Sequence, residues 1–487
     1  MNVDLKEKRN DLKEFLFRYR HYFAYFFMAL CSLVFVIYYS GRGSMWYDEM
    51  HTLGYALGNE KPNSSFIVFA LMRFFVQHIP FGQKNIYLLS EVFFACSVYL
   101  IGVVGKKIRN GTTGGFACAI MAFSPYLIEQ SAHEFRMYFM LLFMSTLMLY
   151  LFIKRGEDKY KNNIAFMCFY GFANMLLVDC HEFGKLLAAL LIFLDLCMII
   201  AKKLSKIGLL TLIFPIGYVV YWLLNNEIGW MFNNYAWPPN PTPDLVFSTI
   251  KLLLNKSNIL VLMFGLGTIY IFYLLYKDMC NKINPFGDKI NYYILIYAVF
   301  AVFAADIIYS NIINPDNSLY VDRYFLSIVP FMYIISACGL EILYSMLISN
   351  RKEYAVVTKI AIVLSIMCMS WQVYINEPKE HNQMYRETAE FLSQEKVVFE
   401  EDTAVFIPEN GYVVTGWRYF FTKNGELPNI NLYNKYNFDL TTCNYKKIYL
   451  LELMYPLTEE QQTYFDENYI LIKEIDNFPI KIYERKN

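Results

Sequence analysis

Before residue 375 this chain is dominated by runs of about 20 mostly apolar residues, the length that crosses the hydrocarbon of a bilayer as a helix. That ruler gives about eleven candidate spans, near 22–40, 86–105, 113–128, 137–153, 163–178, 184–201, 207–224, 258–276, 290–309, 324–347 and 355–374. In hydrocarbon every backbone N–H and C=O needs an internal partner, so such runs must be helical. A further run near 66–80 is interrupted by Arg73, His78 and Pro80. It reads as a helix lying at the interface. Only 18% of the 487 residues are charged, against about 25% in a soluble domain.

The connecting loops sort by charge. Lys6 to Arg20, Lys106 to Arg109, Lys154 to Lys161, Lys202 to Lys206, Lys277 with Lys289, and Arg351 with Lys352 fall in one set. The alternate set holds scattered cations such as Lys61, Arg136 and Arg323. The positive-inside rule makes the first set cytoplasmic, which places the N-terminus inside and, after an odd number of spans, the C-terminus outside. Counting 66–80 as a span would invert every later loop against that rule. The basic N-terminus leads into an apolar run with no small-residue cleavage site, so that run is expected to remain as an anchor in the plasma membrane. Lys+Arg and Asp+Glu balance at 43 each, which argues against a nucleic-acid partner. The 10 cysteines form no CxxC pair, and most sit in apolar runs as small hydrophobes.

After about residue 375 the pattern changes. Ala404–Glu409 and Lys447–Glu452 read as strands, Tyr385–Gln394 and Thr458–Asn468 as amphipathic helices, and 470–475 with 480–485 as a hairpin around Asn477. The expected organisation is a helical membrane domain, 1–375, followed by a small extracytoplasmic α/β domain, 376–487.

The polar residues near membrane borders then all fall on the outer side. Met45-Trp46-Tyr47-Asp48-Glu49-Met50-His51-Thr52 follows the first span. Two carboxylates in a partly desolvated place suit a general base; equally, Asp48 could cap a helix and Trp46 and Tyr47 belong to the interfacial belt. In Glu129-Gln130-Ser131-Ala132-His133-Glu134-Phe135-Arg136-Met137-Tyr138, a helix would align Glu129, His133 and Arg136. Arg136 then suits a phosphate, or pairs with Glu129 or Glu134. Asp179 and His181 lie in a short outer turn, and Arg323 beside Tyr324 offers a second phosphate ligand or a partner for Asp322 or Asp316. Asp195, mid-span, calls for a structural partner. The long loop 225–256, with Trp230 and Trp237, could cover a cleft or rest on headgroups.

Trp46-Tyr47-Asp48-Glu49 after a first span resembles the WxDE motif of the C-type (GT-C) membrane glycosyltransferases, in the family 39-like branch that includes protein O-mannosyltransferases and the lipid A aminoarabinose transferase. Glu134-Phe135-Arg136-Met137-Tyr138 is similar to that branch's EARMY segment, and Asp322-Arg323-Tyr324-Phe325-Leu326 to its late RYLLPLLP segment. The order matches over roughly 20–350. Departures are Lys61-Pro62-Asn63-Ser64-Ser65, where relatives carry a Pro-Pro pair, and Met50 and His133, where relatives carry Ala and Gln or Ser.

The resemblance implies a polyprenyl-phosphate sugar donor and a first-loop aspartate base, matching Asp48 with Glu49 beside it. By analogy, Arg136 and Arg323 would bind or organise the lipid phosphate; His133, Glu134, Tyr138, His181 and Tyr324 are the further candidate substrate-binding residues. The reaction expected is an inverting hexosyl or pentosyl transfer to a lipid, glycan or protein acceptor. No cofactor is required, and two adjacent carboxylates are a thin set for a divalent metal. A lipid-linked saccharide flippase is the alternative; it calls for repeat symmetry or unwound midplane helices, which the sequence does not display.

Overall fold

The computed structural model describes residues 2–40, 45–58, 65–80, 82–225, 238–281, 283, 289–349, 351–376, 383–421, 429–439, 443–476 and 478–486. Lys61 to Ser64, Trp230, Trp237 and Asn477 lie outside the described residues. Among those described, eight helices are long and apolar enough to cross a membrane: Phe17–Tyr39, Asn85–Ile108, Tyr138–Arg155, Glu182–Ile200, Lys206–Leu224, Asn258–Cys280, Ile290–Ile313 and Val329–Ile348. The chain is a multi-pass membrane protein.

The count differs from eleven for local reasons. The run at 113–128 breaks into Gly111–Ala122 and Pro125–Ala132, bent by 56°. Pro125 opens the second piece, and the Ser124 hydroxyl accepts from the Leu127 N–H at 3.2 Å, as an N-cap does. Counted as one broken span, the pair makes nine. Ile164–Cys180 has 17 residues, set by two caps: Asn163 at its start and His181, which opens the next helix. The last run is a helix of 22 residues, Ala355–Asn376. The run near 66–80 forms a helix of 13 residues, Phe66–His78, about 20 Å long and too short to span.

The chain divides into two compact units that are not two consecutive blocks. One is Met1–Tyr38, Glu91–Ala132 and Met137–Glu377; the other is Tyr39–Ser90, His133–Arg136 and Pro378–Asn487. The boundary expected at 375 therefore describes the tail alone: the first loop, with its WxDE motif, and residues 133–136 group with it.

In the first unit, helices Asn258–Cys280 and Val329–Ile348 cross backbone to backbone. A Cβ on Gly267 would lie 2.0 Å from the Ile335 carbonyl oxygen, and one on Gly339 2.0 Å from that of Met263. Small residues permit that approach, where packing rather than water drives association. Asp195 pairs with Arg155, both buried, which supplies the structural partner its mid-span position demands.

In the second unit the tail builds a five-stranded sheet of order β2-β1-β3-β5-β4. Its strands are β1 Thr403–Phe406, β2 Leu432–Tyr433, β3 Lys447–Leu451, β4 Tyr469–Glu474 and β5 Ile480–Arg485. β1 runs parallel to β2 and β3; β5 runs antiparallel to β3 and β4. Helices Tyr385–Gln394 and Glu459–Asn468 fall where the amphipathic pattern puts them. Phe406, Ile448, Leu450, Phe465 and Tyr483 form the core, with Phe406 stacked on Phe438 at 4.1 Å. Two elements escape the sequence pattern: β2, only 2 residues long, and helix Gly411–Arg418, 8 residues opened by Asn410.

Candidate active site

The WxDE motif starts a helix, Tyr47–Leu57, whose N-cap position is Trp46. Asp48 is therefore inside the first turn and is not the cap. Glu49, one residue on, closes the turn: its carboxylate accepts the Trp46 N–H at 3.2 Å, the reach-back half of a capping box. Glu49 also accepts the Tyr87 hydroxyl at 2.9 Å and the Phe135 N–H at 2.8 Å. It is 3% exposed. Burial pushes its carboxyl up to about 7, against the pull of those donors and of Arg136. Glu49 is thus a bracket between the motif helix, Tyr87 and the 133–136 segment.

That bracket explains why the aligned face of Glu129, His133 and Arg136 does not form. A π-turn ends at Ala132, and residues 133–136 continue without helical hydrogen bonding, leaving the Phe135 N–H to donate to Glu49. Arg136 is turned to Asp48, whose Oδ2 accepts from its Nη1. Glu134 instead accepts the Trp46 indole N–H at 3.0 Å. The Arg136 guanidinium lies 5.6 Å from the Trp46 ring centroid, and the His133 ring 6.4 Å from that of Tyr87. Asp48 keeps 29% of its side chain exposed and Arg136 15%, so this carboxylate can be reached where Glu49 cannot. Asp48, Glu49, His133, Glu134 and Arg136 all belong to the second unit. Burial also pushes the His51 ring, one turn beyond, down to about 4, with Asp48 opposing.

The remaining expected residues belong to the first unit. His181 caps helix Glu182–Ile200 by accepting the Phe183 N–H on Nδ1 at 3.2 Å. Its ring lies 4.4 Å from Tyr324 and 5.6 Å from Tyr138. The Arg323 guanidinium lies 5.9 Å from the Tyr138 ring centroid, and its neighbour Asp322 accepts the Tyr126 hydroxyl at 3.2 Å. Tyr138, His181, Arg323 and Tyr324 thus form one aromatic–basic cluster. Asp179, in the last turn of helix Ile164–Cys180, is buried and accepts the Tyr218 hydroxyl.

Sequence reasoning missed the groups that fix Tyr47. Its N–H donates to the Gln383 side chain at 2.7 Å, and its hydroxyl accepts the Asn410 amide at 2.6 Å. The available signal was Asn410-Gly411 followed by an apolar run, an N-cap pattern. Tyr87 and Gln383 carried no pattern.

Glu49 yields a pH prediction. Its folded value of about 7 lies above the ordinary 4.5, so its contribution to stability is complete below 4.5 and is lost as pH rises through about 7, up to about 3 kcal/mol. His51 runs oppositely, losing its contribution as pH falls from 6.5 toward 4; it remains in both proteins compared. The thermal midpoint of the wild type minus that of Glu49→Gln is expected to shrink between pH 5 and pH 8. A difference that stays constant across that range contradicts the assignment.

No protein-family model and no curated protein matches the chain. Solved structures do. ArnT from Cupriavidus metallidurans, solved in the apo state and bound to undecaprenyl phosphate, matches with a TM-score of 0.60 and 9% identity, over 94% of this chain and 97% of that one. AglB from Archaeoglobus fulgidus, an oligosaccharyltransferase solved with an inhibitory peptide and a dolichol-phosphate, matches with a TM-score of 0.54 and 11% identity, over 89% of this chain and 70% of that one. At such identities the likeness is one of fold, and in the ArnT comparison it runs nearly end to end: this protein has the fold of the C-type membrane glycosyltransferases.

Proposed function

We propose that this protein transfers a sugar from a polyprenyl-phosphate carrier to an acceptor hydroxyl or amine on the outer face of the plasma membrane, with Asp48 as general base. The observation that carries this reading is the partly exposed carboxylate of Asp48 in a helical first turn, held by Arg136. Support also comes from the shared fold, two examples of which bind undecaprenyl phosphate and a dolichol-phosphate.

The chemistry is a single displacement. The acceptor heteroatom attacks the anomeric carbon while Asp48 takes its proton. The C1–O bond to phosphate breaks, and polyprenyl phosphate leaves as an anion. A phosphate is a good leaving group, so no acid is needed; cations that meet its developing charge lower the barrier. Arg136, already turned to Asp48, is the candidate for that task. One-step attack opposite the leaving group inverts the anomeric centre.

The test is reconstitution in lipid nanodiscs with polyprenyl-phosphate-linked hexoses and pentoses and a membrane glycolipid extract. Transfer of label is expected, with competitive inhibition by undecaprenyl phosphate. Absence of both transfer and undecaprenyl phosphate binding would refute the reading.

A further inference from the structure

The motif helix Tyr47–Leu57 is fixed from both sides of Asp48. On one side stands Glu49, held by Tyr87 and Phe135. On the other stands Tyr47, whose N–H, hydroxyl and ring each meet a residue of the C-terminal tail, more than 300 residues away in sequence. The Gln383 side-chain oxygen accepts from its N–H, the Asn410 amide donates a hydrogen bond to its hydroxyl, and the Tyr455 ring meets it edge-on at 5.7 Å.

The tail also contacts the rest of that helix at backbone distance. A Cβ on Gly54 would sit 1.9 Å from the Tyr412 carbonyl oxygen, and one on Gly416 2.4 Å from that of Met50. Two helices, Tyr47–Leu57 and Gly411–Arg418, therefore touch where only glycine fits. Tyr412 stacks on Tyr55 at 3.9 Å with the planes 15° apart, and its ring lies 5.1 Å from His51. Behind Asn410, buried Glu409 receives the Tyr385 hydroxyl on both oxygens, at 2.9 and 2.7 Å, and the Met454 N–H at 3.1 Å. Asn410 itself is doubly used: its Oδ1 caps helix Gly411–Arg418 by accepting from Tyr412 and Val413, while its Nδ2 reaches Tyr47.

We infer that the C-terminal tail is a positioning arm of the active site, with Asn410 and Gln383 clamping Tyr47 so that the next residue, Asp48, is held in its working place. This rests on the proposed transferase reading. A module that only recruits the acceptor would have no reason to grip the residue beside the base. Fixing a base within a fraction of an ångström is where such clamps act, since misplacement by about 1 Å lowers rate by about 100-fold.

The experiment is a double-mutant cycle in the full-length protein in nanodiscs. Asn410→Ser keeps the helix cap but is too short to reach Tyr47; Tyr47→Phe removes the other partner. The first readout needs no turnover: hydrogen–deuterium exchange of the amides in Tyr47–Leu57. Each variant is expected to speed exchange there by about 2- to 10-fold, as loss of one hydrogen bond gives, and the double variant no more than either. The second readout is transfer from the donor. Each variant should lower kcat about 10-fold, leave KM for the donor and the thermal midpoint unchanged, and show no further loss when combined. Unchanged exchange, or additive losses, would overturn the clamp. A wild type that exchanges as expected but transfers no sugar would refute the transferase reading and leave the grip on Tyr47 standing. An active wild type with Asn410→Ser at full kcat would do the reverse.

Discussion

Replacing Asp48 by asparagine is expected to lower kcat by about 1000-fold, the middle of the range for loss of a positioned general base. The change is nearly isosteric. The amide oxygen can still accept from Arg136, so the ion-pair geometry that holds the first turn is largely kept, while the ability to take a proton from the acceptor is gone. Binding of undecaprenyl phosphate should stay within about threefold of wild type, because no phosphate contact is removed. The neighbouring substitution serves as the control. Glu49 is buried and saturated by Trp46, Tyr87 and Phe135, so Glu49→Gln should act on stability and its pH dependence, with a smaller loss of kcat per folded molecule. The measurement is single-turnover transfer, normalised to monodisperse protein. An Asp48→Asn protein within threefold of wild type, or a Glu49→Gln protein impaired as severely, would end the assignment of the base.

Much of this architecture is legible in the sequence because the bilayer makes it so. A run such as 258–276 has one structural solution in hydrocarbon, and the structure returns Asn258–Cys280. The tail's strands are legible for a different reason: residues 448–451 form a short apolar run bounded by Lys447 and Glu452, and it is buried throughout, with Ile448 and Leu450 packed against Phe465 and Tyr483. What the pattern could not reveal was which segments pack together. Nothing local distinguishes Tyr87 or Gln383 from any other residue on a helix end. Their roles exist only once the chain has brought 47, 87, 135, 383 and 410 into one unit. The misassigned helical face at 129–136 has the same origin. Local spacing favoured a helix, and a buried carboxylate from residue 49 claimed the Phe135 N–H instead. Likewise the doublet Asp48-Glu49 reads as two equivalent acids, yet burial separates them into a reachable carboxylate and a bracket.

A second large effect is expected far along the sequence from the motif, at Arg155. It ends helix Tyr138–Arg155, is 1% exposed, and pairs with Asp195 of helix Glu182–Ile200, 2% exposed. Its guanidinium also lies 4.2 Å from the Phe152 ring centroid and donates to the Met198 sulfur at 3.1 Å. Arg155→Ala strands a buried carboxylate and opens a cavity, and losing one member of such a pair costs about 3–5 kcal/mol. Both side chains are buried, so the carboxylate left behind has little access to solvent in place of the lost partner. Removing both charges is a different perturbation. Arg155→Met with Asp195→Leu fills the space with apolar atoms and leaves no charge to solvate, so most of the loss should return. The cycle is measured by reversible unfolding in mixed micelles, following the fraction of helix against denaturing detergent. The double variant should be more stable than either Arg155→Met or Asp195→Leu alone, with specific transfer activity per folded molecule close to wild type. If the losses simply add, the two residues do not act as a pair, and Asp195 has some use other than anchoring these two helices to one another.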